Sequence, residues 1–196
     1  MIVDPHQPPD AAIPDPALVV LIGPSGSGKS AWAAERYGAR EVVSSDQLRG
    51  VVGSGEHDLD ASADAFALLD QIVAARMGRG LTTVVDTLGL DPARRRGYLD
   101  LARRHRLPGG AVLFTTGPAE CRRRNRARGR SVPAPVLDGQ LRRTRAARNE
   151  VPAEGWDLVL SADTAGPAYP EPSHSPGAGS AARQQRQQPV RLGFVL

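Results

Sequence analysis

Apolar positions along the chain fall into short runs of two alternating kinds. Residues 17–22 are unbroken apolar and end at Gly23, the pattern of a parallel strand buried on both faces. A helix is predicted over 29–37. Glu41-Val42-Val43 predicts a short strand ending at Ser44-Ser45-Asp46. Over 61–79, Phe66, Leu68, Leu69, Ile72 and Val73 recur at helical spacing among polar residues. Leu81-Thr82-Thr83-Val84-Val85 is rich in β-branched residues and ends on Asp86. Asp91-Pro92 has the form of an N-cap followed by a first-turn proline, and a helix over 92–105 follows. Ala111-Val112-Leu113-Phe114 is the next strand, 118–127 and 134–149 are arginine-rich helices, and Trp156-Asp157-Leu158-Val159-Leu160 is the last strand. Strands alternating with helices predict an α/β fold, a parallel sheet flanked by helices.

The pattern fades at both ends. Residues 1–16, rich in Pro, Asp and Ala, read as a disordered arm; 164–196, rich in Pro, Gly, Ser and Gln, read as a disordered tail. This leaves one domain, 17–163, of a size that buries a real core. The net charge of +4 suits an anionic partner. Cys121 is the only cysteine, which excludes an intramolecular disulfide and a cysteine metal cluster. It reads as a small helix residue packed inward. His6, His57, His105 and His174 lack metal-ligand spacing, and His57 reads as a solvated loop residue. The first ten residues lack the pattern of a signal peptide, and no apolar run is long enough to span a membrane. A cytoplasmic protein is expected, with no membrane partner.

Lys29 is the only lysine among 25 basic residues. It lies in Gly23-Pro24-Ser25-Gly26-Ser27-Gly28-Lys29-Ser30, which matches G-x-x-x-x-G-K-S after an apolar strand and before a helix. In such a loop the glycines let the backbone curl so that its N–H groups face phosphate oxygens, and the helix N-terminus adds positive potential. Lysine, a compact charge on a flexible stem, reaches the β/γ-phosphates where arginine's planar fork fits poorly. Ser30 is placed to ligate Mg²⁺. The expected ligand is a nucleoside triphosphate with Mg²⁺; ATP is the default donor, no N-K-x-D guanine-reading element being present, and the residues leave other triphosphates open.

Three further features bear on chemistry. Asp86, at the tip of its strand, would lie beside the phosphate crevice and hold magnesium, although an Asp capping the next turn would look the same. In Ser44-Ser45-Asp46-Gln47-Leu48-Arg49, a helix starting at the strand end would put Asp46 and Arg49 on one face. There the acid could accept a hydroxyl proton and the arginine could fork onto an acceptor phosphate, or the two could be an ordinary surface pair. Residues 121–130, Cys-Arg-Arg-Arg-Asn-Arg-Ala-Arg-Gly-Arg, place six arginines at a helix end, as a phosphate-covering lid would or as a solvated basic face would.

Taken together, the P-loop, S-S-D-x-x-R at 44–49, V-V-D-T at 84–87 and R-N-x-x-R-G at 124–129 resemble the polynucleotide 5′-hydroxyl kinases over about residues 17–161. These include the phage end-healing enzyme and the kinase domain of bacterial RNA-repair kinase-phosphatases. The resemblance implies an adenylate-kinase-like fold with an arginine-rich lid, ATP and Mg²⁺ as cofactors, and an RNA or DNA 5′-hydroxyl end as acceptor. It implies Lys29 and Ser30 on the phosphates and Mg²⁺, Asp46 as general base, Arg49 on the acceptor's phosphate, and Arg124 and Arg128 as lid arginines, with Arg130 a third. The family often has an asparagine shortly after the strand-end Asp, where this chain has Asp86-Thr87-Leu88-Gly89. It also lacks a D-x-D-G-T phosphatase motif, so separate phosphatase or ligase partners would complete an end-healing reaction. Two other functions are compatible with the same residues: a small-molecule kinase acting on a sugar, antibiotic or nucleotide-sugar hydroxyl, and a non-catalytic ATP-binding switch.

Overall fold

The computed structural model describes residues 13–129 and 131–163. Arg130, the expected arm over 1–12 and the tail over 164–196 lie outside the described residues. Five parallel strands form one sheet in the order β2-β3-β1-β4-β5: β1 Leu18–Ile22, β2 Val42–Ser44, β3 Thr83–Asp86, β4 Gly109–Phe114 and β5 Leu158–Ala162. The helices are α1 Lys29–Arg36, α2 Ser45–Val52, α3 Ser62–Met77, α4 Pro92–Arg104, α5 Pro118–Ala127 and α6 Ala134–Glu150, followed by a short 3₁₀ turn, Val151–Ala153. Among the described residues, no helix is long and apolar enough to cross a membrane.

The central strand is apolar throughout because both of its faces are covered. Leu18, Val20 and Ile22 pack with Leu69, Val73 and Met77 of α3 and Leu99 and Ala102 of α4. Val19 and Leu21 face the opposite cluster, where α1 contributes Trp32 and Ala33 and β4 contributes Phe114. Alternation every second residue thus divides one strand between two cores.

Several boundaries differ from the sequence expectation. The last strand runs from Leu158 to Ala162 rather than from Trp156 to Leu160, because the Trp156 ring turns into the core and its Nε1 donates to Glu154. The fourth strand starts at Gly109, two residues before the expected Ala111. There a side chain would meet Leu99 and Trp156 at 3.2 and 3.3 Å, a tight fit that favours glycine in spite of its low strand propensity. The third strand starts at Thr83 rather than Leu81, since residues 78–81 finish the turn after α3 and Arg76 caps the Thr82 carbonyl. Residues 13–16, expected to belong to the disordered arm, are seated. Ile13 packs against the second cluster, and the Asp15 carboxylate accepts from the Thr82 hydroxyl, which itself accepts from Ala17 N–H.

Parallel pairing brings three strand ends to one edge. Ser44 lies opposite Asp86 across β2 and β3, and β3 lies beside β1, whose end leads into the P-loop. The sheet order changes direction between β3, β1 and β4, the position at which open parallel sheets form a ligand crevice.

Candidate active site

The P-loop, residues 23–30, wraps from β1 into α1. Gly28, the N-cap, has φ +91°, and Gly26 has φ +79°. Gly26 also leaves no room for a methyl group, which would lie 2.7 Å from the Cys121 carbonyl oxygen. Both positions therefore need glycine for conformation, and Gly26 needs it for space as well. Lys29 is 9% exposed. Its Nζ donates to the carbonyls of Gly23 and Pro24, both at 2.9 Å. An ammonium has three donor hydrogens, so one is left for a ligand. Burial pushes the lysine below its ordinary value, against the pull of Asp86 and then Asp46.

Asp86 and Ser30 meet at the β1–β3 edge, where Ser30 Oγ donates to Asp86 Oδ2 at 2.7 Å. Burial pushes the Asp86 carboxyl upward, while Lys29 and the Ser30 hydrogen bond act in the opposite direction. A buried carboxylate next to a hydroxyl is a hard oxygen donor set that suits Mg²⁺ when completed by phosphate oxygens and water. These two residues fit that ion. Among the described residues, no group of three or more His, Cys, Asp and Glu side chains forms an independent metal cage.

Asp46 and Arg49 do share a face at the start of α2, as their spacing predicts. Arg49 Nη2 donates to Asp46 Oδ1 at 2.6 Å, and Arg49 Nε donates to the Glu56 carbonyl at 2.8 Å. The Asp46 side chain is 64% exposed and Arg49 only 13%, so the arginine is anchored and the acid is open to an incoming group. α2 starts directly after Ser44, which lies opposite Asp86, so the pair sits at the strand edge that carries Asp86.

The lid candidates separate. Arg128, the exposed C-cap of α5, is close enough for its charge to act on Lys29 and Asp86. Arg124 lies within α5, and its Nε donates to Glu120 Oε1 at 2.6 Å. Arg123 donates to both Glu120 oxygens, and the two arginines hold that carboxyl at about 2, well below its ordinary value. Asn125, 5% exposed, fastens the following loop: its Nδ2 donates to the Val132 carbonyl and its Oδ1 accepts from Val132 N–H, at 2.8 and 2.9 Å. Cys121 is fully buried, as expected of a packed helix residue.

Sequence reasoning missed the residues that hold the P-loop from the side. Thr116 Oγ1 donates to the Ser27 carbonyl, and Gln140 Oε1 accepts from Ser25 N–H, both at 2.9 Å. Neither residue lies in a motif, and their partners are 89 and 115 residues away, so local pattern carried no signal for them. The Gly89 departure from the resembled family has a steric cause. Gly89 has φ +63°, and a methyl there would collide with the Leu21 carbonyl and lie 2.9 Å from Ile22. The adjacent Leu88 carbonyl accepts from Gly23 N–H at 3.0 Å, tying this segment to the first residue of the P-loop.

A family model described as an AAA domain matches residues 18–151. No curated protein matches the chain in sequence at a significant level. Among solved structures, a candidate kinase from Chloroflexus aurantiacus superposes with TM-score 0.52 at 16% identity, over 77% of this chain and 89% of that one. Kti12 from Chaetomium thermophilum in complex with ADP-AlF3 gives TM-score 0.55 at 18% identity, over 76% and 89%. The Pnkp1/Rnl/Hen1 RNA repair complex gives 0.55 at 16% identity, over 74% of this chain. The chain spans 49% of the matched chain in that complex and 50% of the matched chain in the AvrRxo1-ORF1:-ORF2 complex. At these identities the likeness is one of fold, a parallel five-stranded sheet in a kinase-like P-loop arrangement.

Proposed function

The chain belongs to the AAA domain family, in a kinase-like P-loop fold, and on that premise we propose that it is an ATP-dependent phosphotransferase whose acceptor is the 5′-hydroxyl end of RNA or DNA. The observation that carries this reading is the Asp46–Arg49 pair, an exposed acid held by an anchored arginine within electrostatic reach of Lys29. A pure nucleotide switch has no use for a base at that place. The structural neighbours crystallised with ATP or ADP-AlF3 and the RNA repair complex support the donor and the acceptor class.

In this reading the phosphates of ATP sit on 23–30, where Lys29 and the loop amides neutralise their charge. Ser30 and Asp86 would hold Mg²⁺, which would supply charge neutralisation on the transferring group. Asp46 accepts the proton of the acceptor hydroxyl, and Arg49, with one edge committed to Asp46 and Glu56, presents the rest of its guanidinium to the acceptor phosphate. Arg128 stabilises charge on the donor from the C-terminal end of α5, and Arg124, one turn earlier and tied to Glu120, is the second lid arginine of this reading. Phosphatase or ligase steps would fall to separate partners. Catalysis in this reading is positioning and charge neutralisation together with the one proton transfer to Asp46.

One observation favours a second reading, a small hydroxylated acceptor. The loop and helix start beyond Arg49 carry Glu56, Asp58, Asp60 and Asp64, with Leu59 73% and Val51 71% exposed. An acidic, partly apolar rim repels a polyanion and suits a neutral or cationic molecule. Transfer from γ-³²P-ATP to a 5′-hydroxyl oligonucleotide and to a pool of hydroxylated metabolites, each over a salt series, separates the two. Label on the oligonucleotide that falls steeply with salt supports the first reading. Label only on the pool, insensitive to salt, transfers the reaction to the second.

A further inference from the structure

Three consecutive P-loop residues, Ser25 to Ser27, meet the segment that runs from Thr116 through α5 to α6. Thr116 holds the Ser27 carbonyl, the Cys121 carbonyl closes on Gly26, and Gln140 takes the Ser25 N–H. The third contact differs from the others because its side chain has a second functional end. Gln140 is 5% exposed, and its backbone carbonyl accepts from Thr144 Oγ1 at 2.9 Å within α6. A glutamine amide has an acceptor oxygen and an NH₂ with two donor hydrogens. The oxygen is committed to Ser25, and no described residue accepts from Nε2. Nε2 is not among the fully enclosed atoms without a partner, so it borders accessible space. The two amide heteroatoms share one carbon, which puts the donor next to Ser25 N–H, on a loop whose other amides are built to meet phosphate. An amide NH₂ that opens onto accessible space at this place is free to donate to a ligand oxygen seated on the loop.

We propose that Gln140 is a phosphate-contact residue: with Oε1 held by Ser25, its Nε2 donates to a phosphate oxygen of the nucleotide on the P-loop. The contact rests on the nucleotide half of the proposed function and is independent of which acceptor is used. It also gives α6 a direct register of nucleotide occupancy, since the helix that follows the arginine loop then touches both loop and ligand.

The test uses three full-length proteins, wild type, Gln140→Ala and Gln140→Glu, with MgATP affinity measured by calorimetry and unfolding midpoints measured without nucleotide. Glutamate keeps an oxygen for Ser25 N–H but removes the donor and brings a negative charge to the phosphate. If Gln140 touches phosphate, Gln140→Glu binds MgATP at least about tenfold more weakly than wild type and no better than Gln140→Ala, while its nucleotide-free midpoint stays near wild type. If Gln140 only props Ser25, Gln140→Glu, which keeps the oxygen for Ser25 N–H, binds MgATP more tightly than Gln140→Ala, which overturns the proposal. Equal affinity in all three also overturns it. Should Gln140→Ala fail to fold, Gln140→Met, of similar length and without donor or acceptor, takes its place. Absence of ATP binding in the wild type would overturn the nucleotide reading, and this contact with it.

Discussion

Lys29 spends two of its three ammonium hydrogens on the Gly23 and Pro24 carbonyls and keeps one for a ligand. That geometry needs a tetrahedral head small enough to sit inside a loop backed by the buried Pro24. Lys29→Ala is expected to abolish phosphoryl transfer, and Lys29→Arg to lower it by about 100-fold or more, because a planar guanidinium cannot reach both carbonyls and the phosphate. A γ-³²P transfer assay checks both, and near-normal activity in Lys29→Arg would contradict this account of the lone lysine. Asp86 makes a separate prediction. Its oxygen is positioned by Ser30 at 2.7 Å, and Asp86→Asn or Ser30→Ala should raise the Mg²⁺ concentration for half-maximal transfer by about 10-fold or more, with nucleotide binding in EDTA far less affected. A magnesium titration of the transfer rate reads this out.

At the scale of elements, the site is the meeting of three strand ends with one clamped segment, residues 86–89. Gly89 is the position where the resembled family often has asparagine, and the space beside β1 explains the difference. Gly89→Asn should therefore not improve acceptor use. It should destabilise the fold by about 2–4 kcal/mol through the clash with the Leu21 carbonyl, a drop in Tm that thermal unfolding will show. This clash was invisible in the chain order, because it arises between residues of β1 and of the loop after β3. What was legible lay in contiguous stretches. The P-loop, the Asp46–Arg49 spacing and the Asp91 cap are each written within a few residues, and each folds as its local chemistry requires. Gly109 was misread for a physical reason: tight packing against Leu99 and Trp156 favours a residue that is depleted in strands. Gln140, Thr116 and Asn125 act through partners fixed only by the tertiary fold or by a loop's closure, so no periodicity announced them.

At the scale of the whole molecule, one buried cation ties the catalytic edge to the far end of the last helix. Arg95 is 1% exposed; it donates to Glu154 and Glu150, and its Nη1 donates to the Gly89 carbonyl at 2.9 Å. It thus joins α4, the end of α6 and the segment that supports the P-loop. Burial and the two hydrogen-bonding partners of Glu154, Arg95 and Trp156, act oppositely on that carboxyl, and the hydrogen bonds prevail to hold it below its ordinary value. Removing one member of such a group leaves the other charge without compensation. Arg95→Ala should cost about 3–5 kcal/mol, or roughly 6–20 °C in Tm for a domain of this size, as measured by calorimetry. Asp46, beside the P-loop, is proposed to serve a hydroxyl acceptor. The most direct test compares wild type with Asp46→Ala for γ-³²P transfer to a 5′-hydroxyl oligonucleotide, with ATP affinity measured alongside. Labelled oligonucleotide is expected with the wild type, with a loss of at least about 100-fold in the variant and ATP affinity little changed. Label that persists undiminished in Asp46→Ala would contradict that role.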